Sequence, residues 1–270
     1  MPHYVDVHAH LTHERLIQDV DQVVARAQAA GVEAIICNGL EPVSNREVLK
    51  LAERFEVVKP ALGIYPIDAM ASKISTDEWT HDFPPPEPFD VDAEIDFIAS
   101  VADQLIAVGE VGLDAYWLQS HADEQERVFR RLIEVAQAND IPVIIHSRKA
   151  ELRCFEILQE MKVTKADFHC FGGKLKLARR IAEAGYYLSI PPVVVRAESF
   201  QRYAAKLPLE CLLTETDCPY MGPVRDELNE PANVPTGIEA MAAARGMSSV
   251  DMAAAVADNY RRLFSRSAST

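Results

Sequence analysis

Eight short apolar runs recur along the chain, and the segments between them carry apolar residues at helical spacing. Several runs are β-branched and almost continuously apolar, which is typical of strands that are buried on both faces. Alternating strands and helices predict a parallel sheet, because parallel neighbours need a long crossover connection. The eight runs are Tyr4–His8, Glu33–Asn38, Val57–Tyr65, Leu105–Glu110, Ile141–His146, Ala166–Cys170, Tyr186–Ile190 and Cys211–Asp217.

Eight strand–helix units predict that the sheet closes into a TIM barrel, the (β/α)8 fold. A barrel of this kind takes about 250 residues, so we expect residues 1–270 to form a single domain. An open, doubly wound sheet is the alternative architecture, but the chain has no glycine-rich nucleotide loop to favour it. The proline-rich segment Phe83–Pro88 predicts a surface loop, and the tail Ser265–Thr270 predicts a frayed end.

The formal net charge of the chain is −14, which argues against a broad nucleic-acid-coating surface, since such a surface should be basic. A small local phosphate site is compatible with this charge, as is an enzyme whose cations are metal ions. The five cysteines form no Cys-x-x-Cys pair, which favours reduced thiols in the cytoplasm. Neither a membrane-length apolar stretch nor a signal peptide is recognisable. We therefore expect a cytoplasmic protein without membrane association or an obligate protein partner.

The first predicted strand ends in the sequence Asp6-Val7-His8-Ala9-His10. Side chains alternate along a strand, so Asp6, His8 and His10 point to the same face. Two imidazoles on one face can chelate a single metal ion, although a pair of solvated histidines would show the same spacing. Asp6 is better placed behind the ligands, as support for one of them, than as a ligand itself.

Four other polar residues close later strands: Glu110, His146, His169 and Asp217. Each has an ordinary structural interpretation when it is taken alone. A carboxylate such as Glu110 can cap a helix, a lone histidine is more often a core residue than a ligand, and Asp217 can begin a turn before proline. Together with the histidines of the first strand, however, all of them lie where predicted strands end. Active sites of TIM barrels draw on several strand ends at one face, so the six side chains are predicted to meet in one pocket.

Four imidazoles and two carboxylates suit divalent transition metals such as zinc or manganese. Six ligands exceed the need of one tetrahedral ion, so we predict two ions about 3.5–4 Å apart. Glu110 would bridge the two ions with its two carboxylate oxygens. The remaining ligands are predicted to be His8, His10 and Asp217 for one ion, and His146 and His169 for the other.

Asp217 and Glu110 are also the predicted catalytic residues. A water bridging two metal ions has its pKa lowered towards about 7 and so supplies hydroxide at neutral pH. Asp217 could orient that hydroxide and later pass its proton to the leaving group, while Glu110 holds the ions together.

Six motifs of this chain occur in the order in which the TatD family of metal-dependent DNases shows them, and they extend from Asp6 to Pro235. They are VDVHAH, GEVGLD, IIHSR, FHCFGG, ETDCPY and NEPANVP. The chain therefore resembles that family. The resemblance implies an amidohydrolase-like TIM barrel, two divalent ions (zinc, manganese or magnesium), and hydrolysis of phosphodiester bonds in DNA or another phosphodiester. It also implies metal-ligand roles for the six residues already assigned.

The chain departs from the family pattern after the third strand, where many members show Gly-x-His-Pro-His. Here the segment is Gly63-Ile64-Tyr65-Pro66-Ile67. Tyr65 keeps a hydroxyl donor that could contact a substrate phosphate, whereas Ile67 has none. Arg148 lies two residues after His146 and could bind a phosphate with two hydrogen bonds. The alternative role for Arg148 is an ion pair with a neighbouring carboxylate.

Two other functions are compatible with these residues. An amidohydrolase-like enzyme could act on a lactone, a cyclic amide or another phosphoester, because a fold does not determine its chemistry. A non-catalytic scaffold is a third possibility, and its signature would be the loss of one or more metal ligands. All six ligands are present, which favours the enzyme.

Overall fold

The computed structural model describes residues 3–75, 77–82 and 84–265. Its eight strands are all parallel and lie in one sheet in sequence order. Helices fill the connections between them, so the predicted TIM barrel is confirmed. The strands are β1 (Tyr4–Ala9), β2 (Val32–Asn38), β3 (Val58–Leu62), β4 (Ala107–Gly112), β5 (Val143–His146), β6 (Ala166–Phe168), β7 (Tyr187–Ile190) and β8 (Leu212–Thr214).

The first and last strands lie side by side, and their contact closes the sheet into a barrel. The Thr214 hydroxyl donates a hydrogen bond of 2.7 Å to the Val5 carbonyl, and the Asp217 amide donates one of 2.8 Å to the His8 carbonyl. Asp6 reinforces this seam, because its carboxylate accepts from the amide and the hydroxyl of Thr216 at 2.8 and 2.5 Å. The carboxyl ends of β1 and β8 are thereby held together at one rim of the barrel.

Ten α-helices pack around the described part of the sheet. Their apolar residues recur at helical spacing; in Ala122–Ala138, for example, the buried face includes Val128, Leu132 and Val135. The helices are α1 (Glu14–Ile17), α2 (Val20–Ala29), α3 (Pro42–Arg54), α4 (Val91–Ser100), α5 (Ala122–Ala138), α6 (Glu151–Glu160), α7 (Leu175–Glu183), α8 (Glu198–Lys206), α9 (Val234–Arg245) and α10 (Ser249–Phe264). Short 3₁₀ turns lie at Asp68–Met70, Pro192–Val195, Leu209–Cys211 and Pro231–Asn233.

Several strands are shorter than the apolar runs that predicted them. The third run was expected to continue to Tyr65, but β3 ends at Leu62, because the chain then turns and the Tyr65 amide donates to the Leu40 carbonyl at 2.8 Å. The eighth run was expected to end at Asp217, which lies three residues beyond the end of β8. The rim at the carboxyl ends of the strands is therefore built partly from the loops that follow them.

Two glycines allow the backbone to approach closely beside the rim. A Cβ atom on Gly63 would lie 2.4 Å from the Glu110 carbonyl oxygen, and one on Gly112 would lie 1.9 Å from the His146 carbonyl oxygen. Gly112 also has a φ of +147°, a conformation that side chains rarely adopt. Only glycine therefore lets β4 deliver Glu110 so close to its neighbours.

Residues 84–88 of the proline-rich segment belong to no helix or strand, as expected for a loop, while Phe83 and residues 266–270 lie outside the described residues. Within the described ranges, no helix combines the length and apolarity needed to cross a bilayer. That residues 1–270 form a single domain stays a prediction.

Candidate metal centre

The six predicted ligands converge at the carboxyl ends of the strands, with Glu110 of β4 at their centre. One carboxylate oxygen of Glu110, Oε1, lies 2.7 Å from His146 Nδ1 and 3.0 Å from His169 Nε2. The other oxygen, Oε2, lies 3.3 Å from His10 Nε2 and 3.4 Å from His8 Nε2. The two oxygens thus face two different pairs of imidazoles, as a bridging carboxylate would.

Asp217 completes the cluster on the side of the first strand. Its Oδ1 lies 3.6 Å from His10 Nε2 and 3.8 Å from His8 Nε2. Two groups of potential ligand atoms, each within 4.8 Å of one another, can be drawn here. They are His8 with His10 and Asp217, and His8 with Glu110 and His169. The first group is the one expected from the sequence. The second differs from the expected set, because it contains His8 in place of His146 beside Glu110 and His169.

The electrostatics of the site hold its carboxylates in the ionised form. Burial alone would raise the pKa of Glu110, but the imidazoles of His169, His10 and His146 outweigh burial and hold this pKa well below its ordinary value. Burial opposes ionisation of Asp217 as well, and the neighbouring imidazoles again prevail and lower its pKa. Both side chains are therefore negatively charged at neutral pH, which is the form that binds a cation.

The imidazoles respond to these carboxylates in different ways. Burial, together with the adjacent ring of His169, lowers the pKa of His8 to about 3, so His8 is neutral and keeps a lone pair. Burial acts in the same direction on His10, but Asp217 and Glu110 outweigh it and raise the pKa of His10 to about 10. In the absence of another cation, the carboxylates thus retain a proton on His10. A divalent ion would supply positive charge to the same oxygens.

The packing of the nitrogen atoms fits a centre that holds divalent ions. The Nε2 atoms of His8 and His10 face each other at 3.0 Å, and the rings of His8 and His169 stack with centroids 3.8 Å apart. No lysine or arginine in the described ranges pairs with Glu110 or Asp217 to neutralise them. Convergent imidazoles and carboxylates without an organic cation are the ligand chemistry of zinc and manganese.

Asp114 is a functional candidate that the sequence analysis did not assign, although it closes the motif GEVGLD. Its Oδ2 lies 2.8 Å from His146 Nε2 and accepts a hydrogen bond of 3.0 Å from the Tyr65 hydroxyl. Its Oδ1 accepts from the amides of Tyr116 and Trp117, both at 2.8 Å. Asp114 therefore fixes the ring of His146 so that Nδ1 faces Glu110, as outer carboxylates do for metal-binding histidines.

Exchange of Asp114 for asparagine is expected to weaken metal binding by about 10- to 100-fold, because the uncharged amide no longer orients and polarises His146. Titration of metal-free protein with Mn²⁺ measures this directly. Asp103→Asn, which changes an exposed aspartate, is the control. An unchanged affinity in Asp114→Asn would show that His146 needs no support from this carboxylate.

Glu215 is a second residue that the sequence analysis missed, although it opens the motif ETDCPY. It is fully buried, and it accepts hydrogen bonds of 2.7 Å from the Cys170 amide and from the Ser189 hydroxyl. Its Oε2 also lies 3.7 Å from His169 Nδ1. The signal in the sequence is a charged residue directly after an apolar strand, and Asp217, two residues further on, offers the same signal.

The remaining predicted residues occupy the rim in specific ways. Asp6 contacts the His8 amide, at 3.3 Å, rather than an imidazole, so it supports the ligand through the backbone. The Tyr65 hydroxyl was expected to be available to substrate. In the structure it donates a hydrogen bond to Asp114. Arg148 makes no ion pair within the described residues; its guanidinium carbon instead lies 3.9 Å from the ring centroid of Tyr116.

Comparison with known proteins decides the family. A family model described as TatD-related DNase matches residues 5–265. The chain belongs to the TatD family. This confirms the predicted family, and with it the predicted class of hydrolase.

The relatives of this TatD-family chain match it over nearly its whole length. Human deoxyribonuclease TATDN3 is 31% identical over 271 residues, covering 96% of the chain and 94% of the human protein. The uncharacterized metal-dependent hydrolase YabD of Bacillus subtilis (strain 168) is 30% identical over 265 residues, covering 96% of the chain and 98% of YabD. The crystal structure of YjjV, a TatD homologue from Escherichia coli K12, is 27% identical with a TM-score of 0.84, covering 97% of each chain.

Proposed function

We propose that this TatD-family hydrolase cleaves phosphodiester bonds of DNA, using two divalent ions (zinc, manganese or magnesium). One observation carries the proposal: the two oxygens of Glu110 face two separate pairs of imidazoles at 2.7–3.4 Å. Glu110 would therefore hold divalent ions together with both pairs of imidazoles. In this proposal the ligands are His8, His10, Glu110, His146, His169 and Asp217.

The names of the relatives support the substrate class. The human relative is named a deoxyribonuclease, and the Bacillus relative is named a metal-dependent hydrolase. The matched family is described in terms of DNase activity, and the match extends over residues 5–265. A phosphodiester of DNA is therefore the substrate that we favour over a lactone or a cyclic amide.

Bound divalent ions would lower the pKa of a coordinated water and neutralise charge on the phosphate. The protein's own contribution to proton transfer centres on Asp217. Its side chain is 17% exposed, compared with 4% for Glu110, so it is the more accessible carboxylate of the two. We propose that Asp217 accepts the proton of the attacking water and then donates it to the oxygen that leaves phosphorus. Glu110 stays ionised and holds its four imidazole neighbours in place.

Arg148 is the proposed phosphate contact at the mouth of the site. It lies two residues after His146, it is exposed, and it makes no ion pair within the described part of the chain. A guanidinium presents parallel N–H donors that match two phosphate oxygens, which an ammonium cannot do.

Arg148→Lys should therefore lower kcat/KM for DNA even though it keeps the charge. Equal activity of this variant would show that Arg148 does not contact the substrate.

The proposed activity is tested by metal reconstitution. Protein stripped with a chelator should not cleave a labelled single-stranded oligonucleotide, and addition of Mg²⁺, Mn²⁺ or Zn²⁺ should restore cleavage because the ligands need their ions. The rate is compared with that of Glu110→Gln, which retains the shape of the side chain but has one oxygen fewer. If no metal raises cleavage above this variant, the assignment as a DNase is wrong.

We also propose a reducing location such as the cytoplasm. All five cysteines are free, and four of them are buried. Thiol titration of the unfolded, freshly purified protein should find five reactive groups per chain. A lower count, restored by a reductant, would contradict this location.

A further inference from the structure

A group of aromatic and cationic side chains, here called the stacking wall, lies beside the metal centre. It consists of Tyr116, Trp117 and Arg148. The guanidinium carbon of Arg148 lies 3.9 Å from the ring centroid of Tyr116 and 5.1 Å from that of Trp117. The two rings meet edge to face, with centroids 4.8 Å apart.

The stacking wall is attached to the metal centre through Asp114. The same carboxylate that contacts His146 Nε2 at 2.8 Å accepts hydrogen bonds of 2.8 Å from the amides of Tyr116 and Trp117. On the other side, the Ala115 amide donates to the Arg148 carbonyl at 3.0 Å. The rings are thus fixed directly next to one ligand of the proposed ions.

Core packing accounts for only part of this arrangement, because Trp117 is half buried and its ring also meets that of His81, with centroids 4.9 Å apart. Tyr116 is 48% exposed although it is a large aromatic residue, and Arg148 is exposed as well. The Arg148 guanidinium forms no hydrogen bond or ion pair with the described residues, so its N–H groups face solvent. An exposed ring such as that of Tyr116, stacked with an arginine, is the usual kind of surface on which proteins stack unpaired bases.

We infer that Tyr116, Trp117 and Arg148 form a stacking site for an unpaired nucleobase, adjacent to the phosphate that the metal centre holds. The inference rests on the proposed function, since it requires a nucleic-acid strand in the site. Arg148 serves both parts of the nucleotide: its plane stacks with the rings, and its edge donates to the phosphate. A base that is paired within a duplex cannot lie against the rings, so the site selects an unpaired nucleotide.

The charge of the protein explains why such a contact matters. A net charge of −14 repels a phosphate backbone, so long-range attraction does not provide affinity here. Stacking depends little on charge, because every base has a π-face. The stacking wall therefore provides affinity that the overall electrostatics of this chain do not.

A strand without bases isolates the contribution of stacking. Cleavage of two substrates by the full chain with Mn²⁺ is measured. One is a strand of about 12 thymidylates, and the other is a strand of equal length built from abasic tetrahydrofuran units. Tyr116→Ala should lower kcat/KM for the thymidylate strand by about 5- to 100-fold, and for the abasic strand by less than about twofold. Tyr116→Phe keeps the ring and should restore cleavage of the thymidylate strand.

The matched control is Tyr187→Ala, because Tyr187 is a half-buried tyrosine at the start of β7, whereas the metal centre lies at the carboxyl ends of the strands. This variant should not distinguish the two substrate strands. The inference is overturned if Tyr116→Ala lowers turnover of both strands equally, since its role would then be structural. It is overturned as well if Tyr116→Ala leaves both rates unchanged.

Tryptophan fluorescence provides a test that does not depend on turnover. The chain has two tryptophans, so Trp79→Phe leaves Trp117 as the sole emitter. In this variant, combined with Asp217→Asn to slow cleavage, the thymidylate strand should quench the emission and the abasic strand should not. Equal responses would refute the stacking site. If the wild type cleaves neither strand, the proposed function fails, whereas this titration still decides whether a base stacks on Trp117.

Discussion

Glu110→Gln should reduce turnover of DNA by at least about 1,000-fold. This effect is larger than the loss of about 10- to 100-fold expected when a residue that only supports a metal ligand, such as Asp114, is exchanged. Glu110→Gln should also reduce the metal content from two ions per chain to one or fewer. The amide nitrogen of glutamine carries hydrogen atoms and cannot act as a metal ligand, so only one of the two pairs of imidazoles would still face an oxygen. Mass spectrometry of the metal content and kcat/KM for an oligonucleotide measure both effects.

Glu94→Gln is the matched control for this variant. Glu94 is also a buried carboxylate, but it forms an ion pair with Arg46 and accepts a hydrogen bond of 2.7 Å from Asn45, away from the proposed ligands. Its exchange should lower stability and leave the metal content unchanged. Full activity of Glu110→Gln with two ions bound would refute the bridging role, and with it the proposed centre.

Asp217→Asn should reduce turnover by about 100- to 10,000-fold, because the asparagine can neither accept a proton nor donate it to the leaving oxygen. The melting temperature should change by no more than about 4 °C, as for a difference near 1 kcal/mol. The hydrogen bond from the Asp217 amide to the His8 carbonyl helps to close the barrel. It does not involve the exchanged side chain, so the substitution preserves it. Differential scanning calorimetry and kcat measurements give the two values.

A control for charge alone is Asp258→Asn, since Asp258 lies exposed on α10 and pairs only with Arg261 among the described residues. It should alter neither turnover nor melting temperature appreciably. A fall in melting temperature of Asp217→Asn equivalent to about 2–5 kcal/mol would match the effect of a core cavity. Asp217 would then be a structural residue rather than a proton carrier.

The barrel could be predicted from the sequence because its strands are buried on both faces. A run such as Val143–His146 is apolar until its last residue, and the histidine there is conspicuous for that reason. Five such interruptions at strand ends indicated one pocket, since parallel strands end at the same rim. The identities of the six converging residues were therefore accessible from the order of residue types alone.

Other features depended on contacts between distant residues. Asp114 gains its role from His146, which is 32 positions away, and Glu215 from Ser189, which is 26 positions away. No local pattern distinguishes Asp114 from an ordinary turn residue, and Glu215 differs from one only because it directly follows an apolar strand. The sequence likewise does not decide whether Arg148 forms an ion pair, because the ring of Tyr116 that it contacts belongs to a different loop.

The contact of β1 with β8 has a consequence for biosynthesis. His8 and Asp217 are more than 200 positions apart in the chain, and they become neighbours only when the eighth strand joins the first. A nascent chain on the ribosome that stops short of residue 217 has no complete ligand set. The capacity to cut a nucleic acid therefore arises only after residue 217 has been made and β8 has joined β1.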